Sequence, residues 1–145
     1  MIQIKVKKLH PEAQLPTRGS EDSACWDVYC LEDTLINTRS VTLVRTGLAF
    51  EIPKDFFIDV RPRSGLSKTG VVIKNSPGTI DSDYRGELLV LLQMTLSTWN
   101  GNHRISKGDR IAQIRLEKVL DIEFIEVEEL SDTKRGTGGF GSTGD

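Results

Sequence analysis

Residues 87–96 read ELLVLLQMTL, and this stretch decides the fold. Apolar side chains alternate at positions 88, 90, 92, 94 and 96, which predicts a β-strand with one continuous apolar face. Leu89 and Leu91 make the opposite face apolar as well, so we expect this strand to be covered on both sides. In a small sandwich the second cover is expected to come from another subunit, which predicts a homo-oligomer with this strand near its interface.

Period-two patterns recur along the rest of the chain, whereas helical periodicity does not. Strands are predicted at 2–6, 41–52, 56–60, 110–119 and 122–127, with turn-forming clusters at 98–103 and 106–109. One short helical turn is expected near residues 64–69. Many short strands joined by turns are typical of a sandwich, jelly roll or barrel, so the fold is predicted to be all-β.

The chain of 145 residues is long enough for one domain with a hydrophobic core, and no internal repeat is visible. We place this β-rich domain at residues 1–130. Residues 131–145 are the one low-complexity segment, because five of the last eleven residues are glycine. Such a segment holds no fixed shape alone, which predicts a flexible C-terminal arm.

Composition and charge exclude several classes of function. The net charge of −2 argues against general nucleic-acid binding, which needs a basic face. The longest aliphatic run, residues 88–92, is too short to span a membrane, and the first eight residues lack the apolar block of a signal peptide. Cys25 and Cys30 have no histidine nearby, so neither predicts a zinc site. We expect a cytoplasmic protein, located in the host cytoplasm if the chain is viral.

Two familiar nucleotide-binding patterns are missing from the sequence. It contains neither the G-x-x-x-x-G-K-[ST] phosphate loop nor a G-x-G-x-x-G turn before a helix. His10 and His103 lie among residues that do not suggest histidine base or metal chemistry. Carboxylate-assisted attack of water on a phosphate that carries a metal ion remains as the expected chemistry.

The segment 75–87, NSPGTIDSDYRGE, carries the densest set of polar groups. A turn at Pro77 and Gly78 predicts a hairpin whose backbone amides and carbonyls, with the amide of Asn75, read the edge of a base. Asp81 follows an apolar residue, where partial burial makes a carboxylate a useful general base. Tyr84 offers a rigid ring that excludes a hydroxyl from a sugar. An acidic turn between strands explains the segment equally well when it is taken alone.

A candidate phosphate site lies at residues 61–68, RPRSGLSK. Ser64 and Gly65 begin the predicted helical turn, where free backbone N–H groups favour an anion, and Arg61 and Arg63 flank them. A solvated strand end is the alternative interpretation. Gln113 points away from the apolar face of the strand at 110–116 and is available to a ligand, although a solvent-facing amide is the commoner explanation.

Asp27 is a lone acid among strand-forming residues. It is a candidate contact for a hydrated Mg²⁺, because Mg²⁺ on phosphates keeps several waters and few protein ligands. The alternative is a structural aspartate that binds a turn backbone, which is the commoner role for a single aspartate.

The arm also carries groups suited to a phosphorylated aromatic ligand. Arg135 and the hydroxyls of Thr137, Ser142 and Thr143 are donors for phosphate oxygens, and Phe140 is available to stack on a flat ring. A frayed, solvated terminus is the alternative.

Together the segments at 24–28, 62–66, 75–87, 108–113 and 135–144 resemble the five ordered motifs of the trimeric dUTP diphosphatase (dUTPase) family. The motifs span nearly the whole chain, and the third and fifth are the most specific. The resemblance implies a jelly-roll-like β fold and a homotrimer with an active site at each subunit junction. It also implies that the arm closes over the site of a neighbouring subunit.

The resemblance further implies a role for each motif residue. Asp81 matches the catalytic carboxylate that activates the attacking water, Tyr84 the ring that rejects ribose, and Asp27 the acid that contacts Mg²⁺ through water. Phe140 matches the ring over the uracil. The implied substrate-binding residues, besides Tyr84, are Arg63, Ser64, Gly65, Asn75, Gly78, Thr79, Ile80, Gln113, Arg135, Gly139, Phe140, Gly141, Ser142 and Thr143.

The implied reaction is attack of water at the α-phosphorus of dUTP, with Mg²⁺ as cofactor and dUMP and pyrophosphate as products. This reaction limits uracil incorporation into DNA and supplies dUMP for thymidylate synthesis. One departure from the family pattern is visible, since Cys25 stands where the first motif usually has glycine. Two alternatives remain: a dUTPase-like regulator that switches a protein partner, and a dCTP deaminase on the related fold.

Overall fold

The computed structural model describes residues 1–95 and 102–139, and this part of the chain forms twelve strands and one short helix. The all-β prediction is confirmed. The strands are β1 (Lys5–Lys8), β2 (Thr17–Arg18), β3 (Trp26–Tyr29), β4 (Thr34–Asn37), β5 (Thr42–Arg45), β6 (Leu48–Glu51), β7 (Phe56–Arg61), β8 (Val71–Ile73), β9 (Gly78–Ile80), β10 (Leu89–Met94), β11 (Asn102–Ile105) and β12 (Arg110–Lys118). The helix α1 spans Ser64–Ser67, inside the predicted helical turn.

The strands form a jelly-roll-like arrangement in which every described pairing is antiparallel. The largest sheet has five strands in the order β2-β3-β12-β7-β9, and a three-stranded sheet has the order β5-β10-β8. The pairs β1-β6 and β4-β11 complete the set. The inward faces of these sheets share one apolar core. Asp27 and Gln113, which are cross-strand partners, lie on the outward face of the five-stranded sheet.

Strand β10 is buried on one face and half-covered on the other. Leu88, Val90 and Leu92 are buried in the core, as their alternation predicts. On the opposite face Leu91 is only partly buried, and its cross-strand partner Leu43 is 58% exposed. A single chain therefore covers only one of the two apolar faces of β10.

The stretch 41–52 is divided, although its composition predicts one strand. Gly47 adopts a φ of 69° between β5 and β6, a conformation that side-chain-bearing residues rarely adopt. A β-carbon there would approach the Cβ of Ala13 to 2.9 Å, so the position also requires a residue without a side chain. The first strand is likewise displaced, since it begins at Lys5 rather than at residue 2.

The strand predicted at 122–127 is absent from the structure, and this prediction was wrong for the single chain. Strand β12 ends at Lys118, and residues 119–130 continue without a pairing strand among the described residues. Phe124 is 91% exposed. The exposed large apolar residues of this 119–130 segment are Val119, Leu120, Ile122, Phe124, Ile125, Val127 and Leu130. The alternation is present in the sequence, but no strand within residues 1–95 and 102–139 pairs with this segment.

Within the described residues, no helix has the length and apolar character needed to cross a membrane. Cys25 and Cys30 are both free thiols.

Candidate functional site

A buried carboxylate organises the outward face of the five-stranded sheet. Asp27 in β3 is 4% exposed. Its Oδ1 accepts hydrogen bonds from Nε of Arg63 at 2.8 Å and from Nε2 of Gln113 at 3.3 Å, and its Oδ2 accepts one from Nη1 of Arg110 at 3.3 Å. We refer to these four residues as the Asp27 cluster. The buried carboxylate has two guanidinium partners from the same chain, so its charge is compensated without a ligand or a second subunit.

Strand pairing explains how two members of the Asp27 cluster meet. Asp27 and Gln113 are direct cross-strand partners in the β3-β12 ladder, and directly opposed residues on adjacent strands project to the same face. The sequence placed Gln113 away from the apolar face of its strand, and the structure agrees. Its amide contacts a carboxylate rather than bulk solvent alone.

Arg110 joins the Asp27 cluster because of a β-bulge. In a regular strand Arg110 and Gln113, three residues apart, project to opposite faces. The β3-β12 register shifts between Arg110 and Ala112, and Ile111 and Ala112 are both buried. The bulge therefore turns Arg110 to the same outward face as Gln113. The alternating pattern of the sequence does not predict this position of Arg110, because a period of two cannot reveal the extra residue of a bulge.

Arg63 reaches the Asp27 cluster from the loop that follows β7. It is the N-cap residue of α1, and its carbonyl accepts the backbone N–H of Ser67. Ser64 and Gly65 come next and are exposed, so they lie in sequence beside a fixed guanidinium. Arg63 and Arg110 both line a cavity of about 270 Å³, together with Gly65, Leu66, Thr69, His103, Ile105, Asp109 and Ile111.

The surroundings of Asp27 bear on its predicted contact with a metal ion. Its carboxylate binds three donors, two of them cationic, and it does not hold a turn backbone in the manner of the alternative interpretation. Among residues 1–95 and 102–139, no group of three or more His, Cys, Asp or Glu side chains could hold a metal ion. These residues do not fit a metal site built by the protein alone.

The turn at 75–78 brings a second set of predicted residues together. Pro77 follows a cis peptide bond, and Gly78 is buried at the start of β9. A β-carbon at Gly78 would lie 3.1 Å from Nδ2 of Asn75, so the amide of Asn75 packs against the backbone of Gly78. The two predicted base-reading groups are thus adjacent.

The hairpin predicted for 75–87 differs from the structure. Strand β8 pairs with β10, whereas β9 pairs with β7 in the five-stranded sheet. The turn at Pro77 and Gly78 therefore connects two sheets rather than two paired strands. Thr79 and Ile80 lie in β9, and Ile80 packs against the core.

Asp81 and Tyr84 lie on an exposed turn after β9. The backbone N–H of Tyr84 donates to the carbonyl of Asp81, and its Oη donates to the carbonyl of Glu87 at 3.1 Å. The ring packs on Gly86, where a β-carbon would come within 2.3 Å of Oη. The side chain of Asp81 is exposed, so the partial burial expected for it is not present in the single chain.

The described part of the arm makes local contacts. Nε of Arg135 donates to the carbonyl of Gly138 at 2.8 Å, and the N–H of Gly136 donates to the carbonyl of Thr133. Arg135 and Thr137 are exposed, and Gly139 is partly buried. The predicted contacts at Phe140, Gly141, Ser142 and Thr143 lie outside the described residues.

The motif departure at Cys25 does not remove Asp27 from its cluster. Cys25 is partly buried, and the next residue, Trp26, stacks with the guanidinium of Arg18 at 4.7 Å from the ring centroid. This cation–π contact anchors the start of β3 from the other side of the strand. A second buried acid that the sequence did not indicate is Asp59, which is paired with Arg61 at 2.8 Å on the same outward face.

Fold and site together define an all-β protein whose paired guanidinium groups suit an anionic ligand. The chain matches the dUTPase family over residues 11–144. It is 49% identical over 144 residues to a deoxyuridine 5′-triphosphate nucleotidohydrolase of Nautilia profundicola, with 99% of each chain covered. A Helicobacter hepaticus enzyme of the same name is 48% identical, with 99% of this chain and 89% of that enzyme covered.

Solved structures give the same result. The dUTPase of Staphylococcus bacteriophage 80alpha, determined with dUPNHPP, superposes with a TM-score of 0.87 at 27% identity and full coverage of both chains. The chain belongs to the dUTPase family. It is accordingly a dUTP diphosphatase, which confirms the expected family, fold and enzyme class.

Proposed function

We propose that this enzyme hydrolyses dUTP by attack of a water molecule on the α-phosphorus. Asp81 accepts a proton from the water, a new oxygen–phosphorus bond forms, and the bond from the α-phosphorus to the bridging oxygen breaks. The products are dUMP and pyrophosphate. The observation that carries this assignment is the prebuilt pair of guanidinium groups at Asp27, beside the exposed Ser64 and Gly65.

The phosphate chain is proposed to bind Arg63, Ser64, Gly65 and Gln113. Arg63 is only 22% exposed and already fixed by its Nε contact, so little side-chain freedom is lost when it binds an anion. Guanidinium groups bind phosphate oxygens through directed, charge-assisted hydrogen bonds. These groups would orient the triphosphate for in-line attack.

The nucleoside is proposed to bind along residues 75–84. The amide of Asn75 and the backbone of Gly78, Thr79 and Ile80 would read the uracil edge, which needs both donors and acceptors. Tyr84 would lie against the sugar and reject a 2′-hydroxyl. Its ring is held by Gly86 and by the carbonyl of Glu87, so it offers a fixed surface for this role.

Magnesium is proposed to arrive with the nucleotide. Triphosphate oxygens and water are the ligands that Mg²⁺ prefers, so Mg²⁺–dUTP is the expected form of the substrate. The ion would neutralise part of the triphosphate charge. The described protein residues form no metal cage, which is compatible with an ion carried by the substrate and not with one held by the protein alone.

The arm, residues 131–145, is proposed to be a separate unit that closes over the nucleotide bound by the domain at 1–130. Arg135, Ser142 and Thr143 would contact the phosphates, and Phe140 would cover the uracil, with Gly139 and Gly141 allowing close approach. Closure would exclude bulk water from the reaction. The self-contained contacts of residues 133–138 support an arm that is not committed to its own domain.

A homotrimer with active sites between subunits is proposed as the working form. The 119–130 segment exposes a row of apolar side chains that an isolated chain leaves in water, and such patches mark interfaces. An apolar groove of about 840 Å³ lies elsewhere on the same chain, lined by residues that include Ile4, Val6, Phe50 and Leu116. A neighbour's 119–130 segment is the proposed occupant of this groove.

In the cell, this reaction would keep uracil out of DNA and supply dUMP for thymidylate synthesis. We place the enzyme in the cytoplasm, where a reducing environment suits its two free thiols.

A pyrophosphate-release assay on dUTP and the four standard deoxynucleoside triphosphates, with and without Mg²⁺, tests this function. Rapid turnover of dUTP alone is expected. Ammonia release from dCTP would favour the deaminase instead. A partner protein captured only when a non-hydrolysable dUTP analogue is present would add a regulatory role to the hydrolysis.

A further inference from the structure

We propose that Asp27 is a positioning residue that holds Arg63, Arg110 and Gln113 as one preassembled phosphate-binding array, to which Arg110 contributes a second guanidinium. This assignment, which rests on the dUTP hydrolysis proposed above, replaces the predicted role of Asp27 as a contact of the metal ion. It also adds Arg110 to the residues that contact the substrate.

The hydrogen-bond capacity of Asp27 supports the positioning role. A carboxylate offers about four lone-pair sites, and three donors of the Asp27 cluster already occupy both oxygens. The side chain is 5% exposed, so the remaining capacity is not open to a hydrated ion without displacement of a partner. Breaking a buried ion pair is costly because one charge is left uncompensated.

The geometry of Arg110 supports its contact with an anion. Only Nη1 contacts Asp27, and within residues 1–95 and 102–139 its Nε and Nη2 have no hydrogen-bond partner. The side chain is 51% exposed, in contrast to the 22% of Arg63. One edge of the guanidinium is therefore fixed by the protein, and another is available to a phosphate oxygen.

The two arginines are also tied to each other. Nη1 of Arg63 donates to the backbone carbonyl of Arg110 at 3.5 Å, and both side chains line the same cavity of about 270 Å³. Asp27 neutralises one of their two positive charges, so the three side chains carry a net charge of +1. That charge attracts a phosphate, while the carboxylate prevents the two guanidinium groups from repelling each other apart.

Asp27→Asn and Arg110→Gln test the assignment by calorimetric binding of the non-hydrolysable analogue α,β-imido-dUTP, in EDTA and again in Mg²⁺. Positioning acts on the arginines directly, so each variant should weaken binding about tenfold or more in EDTA. The double variant should lose little more than either single change, because both disturb the same array. Arg110→Lys should recover part of the loss, since it keeps the charge without the directed donors.

Asp33→Asn is the matched control, because Asp33 also pairs with an arginine, Arg104, at 2.6 Å but lies outside the Asp27 cluster. It should bind the analogue within twofold of the parent chain. Arg110→Gln replaces a half-exposed side chain, so it decides the assignment if Asp27→Asn lowers the folded fraction measured by thermal unfolding.

Two results would overturn the assignment. Normal analogue binding by Asp27→Asn in EDTA, with a loss confined to Mg²⁺, would return Asp27 to the metal ion. Normal binding by Arg110→Gln in both conditions would remove Arg110 from the array. Failure of the parent chain to release pyrophosphate from dUTP would instead refute the proposed function, so the two failures are distinguishable.

Discussion

The Asp27 cluster and the 81–84 turn differ in how complete they are within one chain. Asp27 is buried with all its partners in place, whereas Asp81 and Tyr84 project from an exposed turn. Strand pairing in the five-stranded sheet holds Asp27 and Gln113 of the first region, whereas the side chains of the second project into solvent. The proposed phosphate-binding residues therefore meet within one subunit, whereas the proposed catalytic residues are left uncovered by it.

Asp81→Asn should give the largest loss of turnover among these variants, while leaving the Asp27 cluster intact. Loss of the general base removes about 10³-fold in turnover, while binding of α,β-imido-dUTP stays within a few-fold because the Asp27 cluster is intact. A pyrophosphate assay and calorimetry measure the two quantities. Asp83→Asn, an exposed acid on the same turn, is the control and should remain active. Full turnover by the Asp81 variant would exclude it as the base.

Deletion of residues 135–145 should produce the next largest loss of turnover. Without the arm the nucleotide is less well positioned and bulk water enters, so turnover should fall about 100-fold. The melting temperature should be unchanged, since the described residues 135–139 are not part of the core. Steady-state kinetics and thermal unfolding provide the test, and undiminished turnover would leave the arm without a role in catalysis.

Substitutions on the two faces of β10 are expected to distinguish the stability of the subunit from the stability of the oligomer. Leu92→Ala empties a fully buried site and should lower the free energy of unfolding by about 3 kcal/mol. Leu91→Ala, on the half-covered face, should cost less in unfolding of the subunit and act mainly on the oligomer. Urea titration and sedimentation velocity distinguish these effects. Equal destabilisation by both changes, with no shift in sedimentation, would argue against an interface there.

The smallest expected effect concerns Cys30. Burial raises the pKa of this thiol, although a backbone hydrogen bond at Glu32 partly opposes the shift. The folded state therefore keeps its proton where the unfolded chain loses it. This contribution to stability is full below the unfolded pKa of about 8.5 and is lost as the pH rises through the folded value. Urea titrations from neutral to alkaline pH should show a shallower decline in Cys30→Ala, and Cys25→Ala should retain the parent slope.

Sequence patterns predicted the fold class and the core face of β10 because alternation directly reports burial. They also placed Gln113 on the outward face for the same reason. They failed at Arg110, where a bulge breaks the period, and at Gly47, where a left-handed turn divides one apolar stretch. The pairing of β9 with β7 was also beyond reach, since a turn residue pattern does not say which sheet receives the next strand.

The 122–127 prediction shows a different limit. The alternation of Ile122, Phe124 and Glu123 is that of a strand, yet the described chain provides no partner for it. An alternating apolar pattern indicates that a segment needs a strand to pair with, but it does not indicate which molecule supplies that strand. The motif resemblance supplied the family, and the assignments of individual site residues remain predictions for the experiments above.

The uncovered row of apolar side chains at 119–130 has a consequence for newly made protein. A subunit without a partner exposes these apolar side chains to water, and exposed apolar patches of this kind favour aggregation. Orphan subunits would be recognised by chaperones and proteases, which ties the lifetime of the polypeptide to its own abundance.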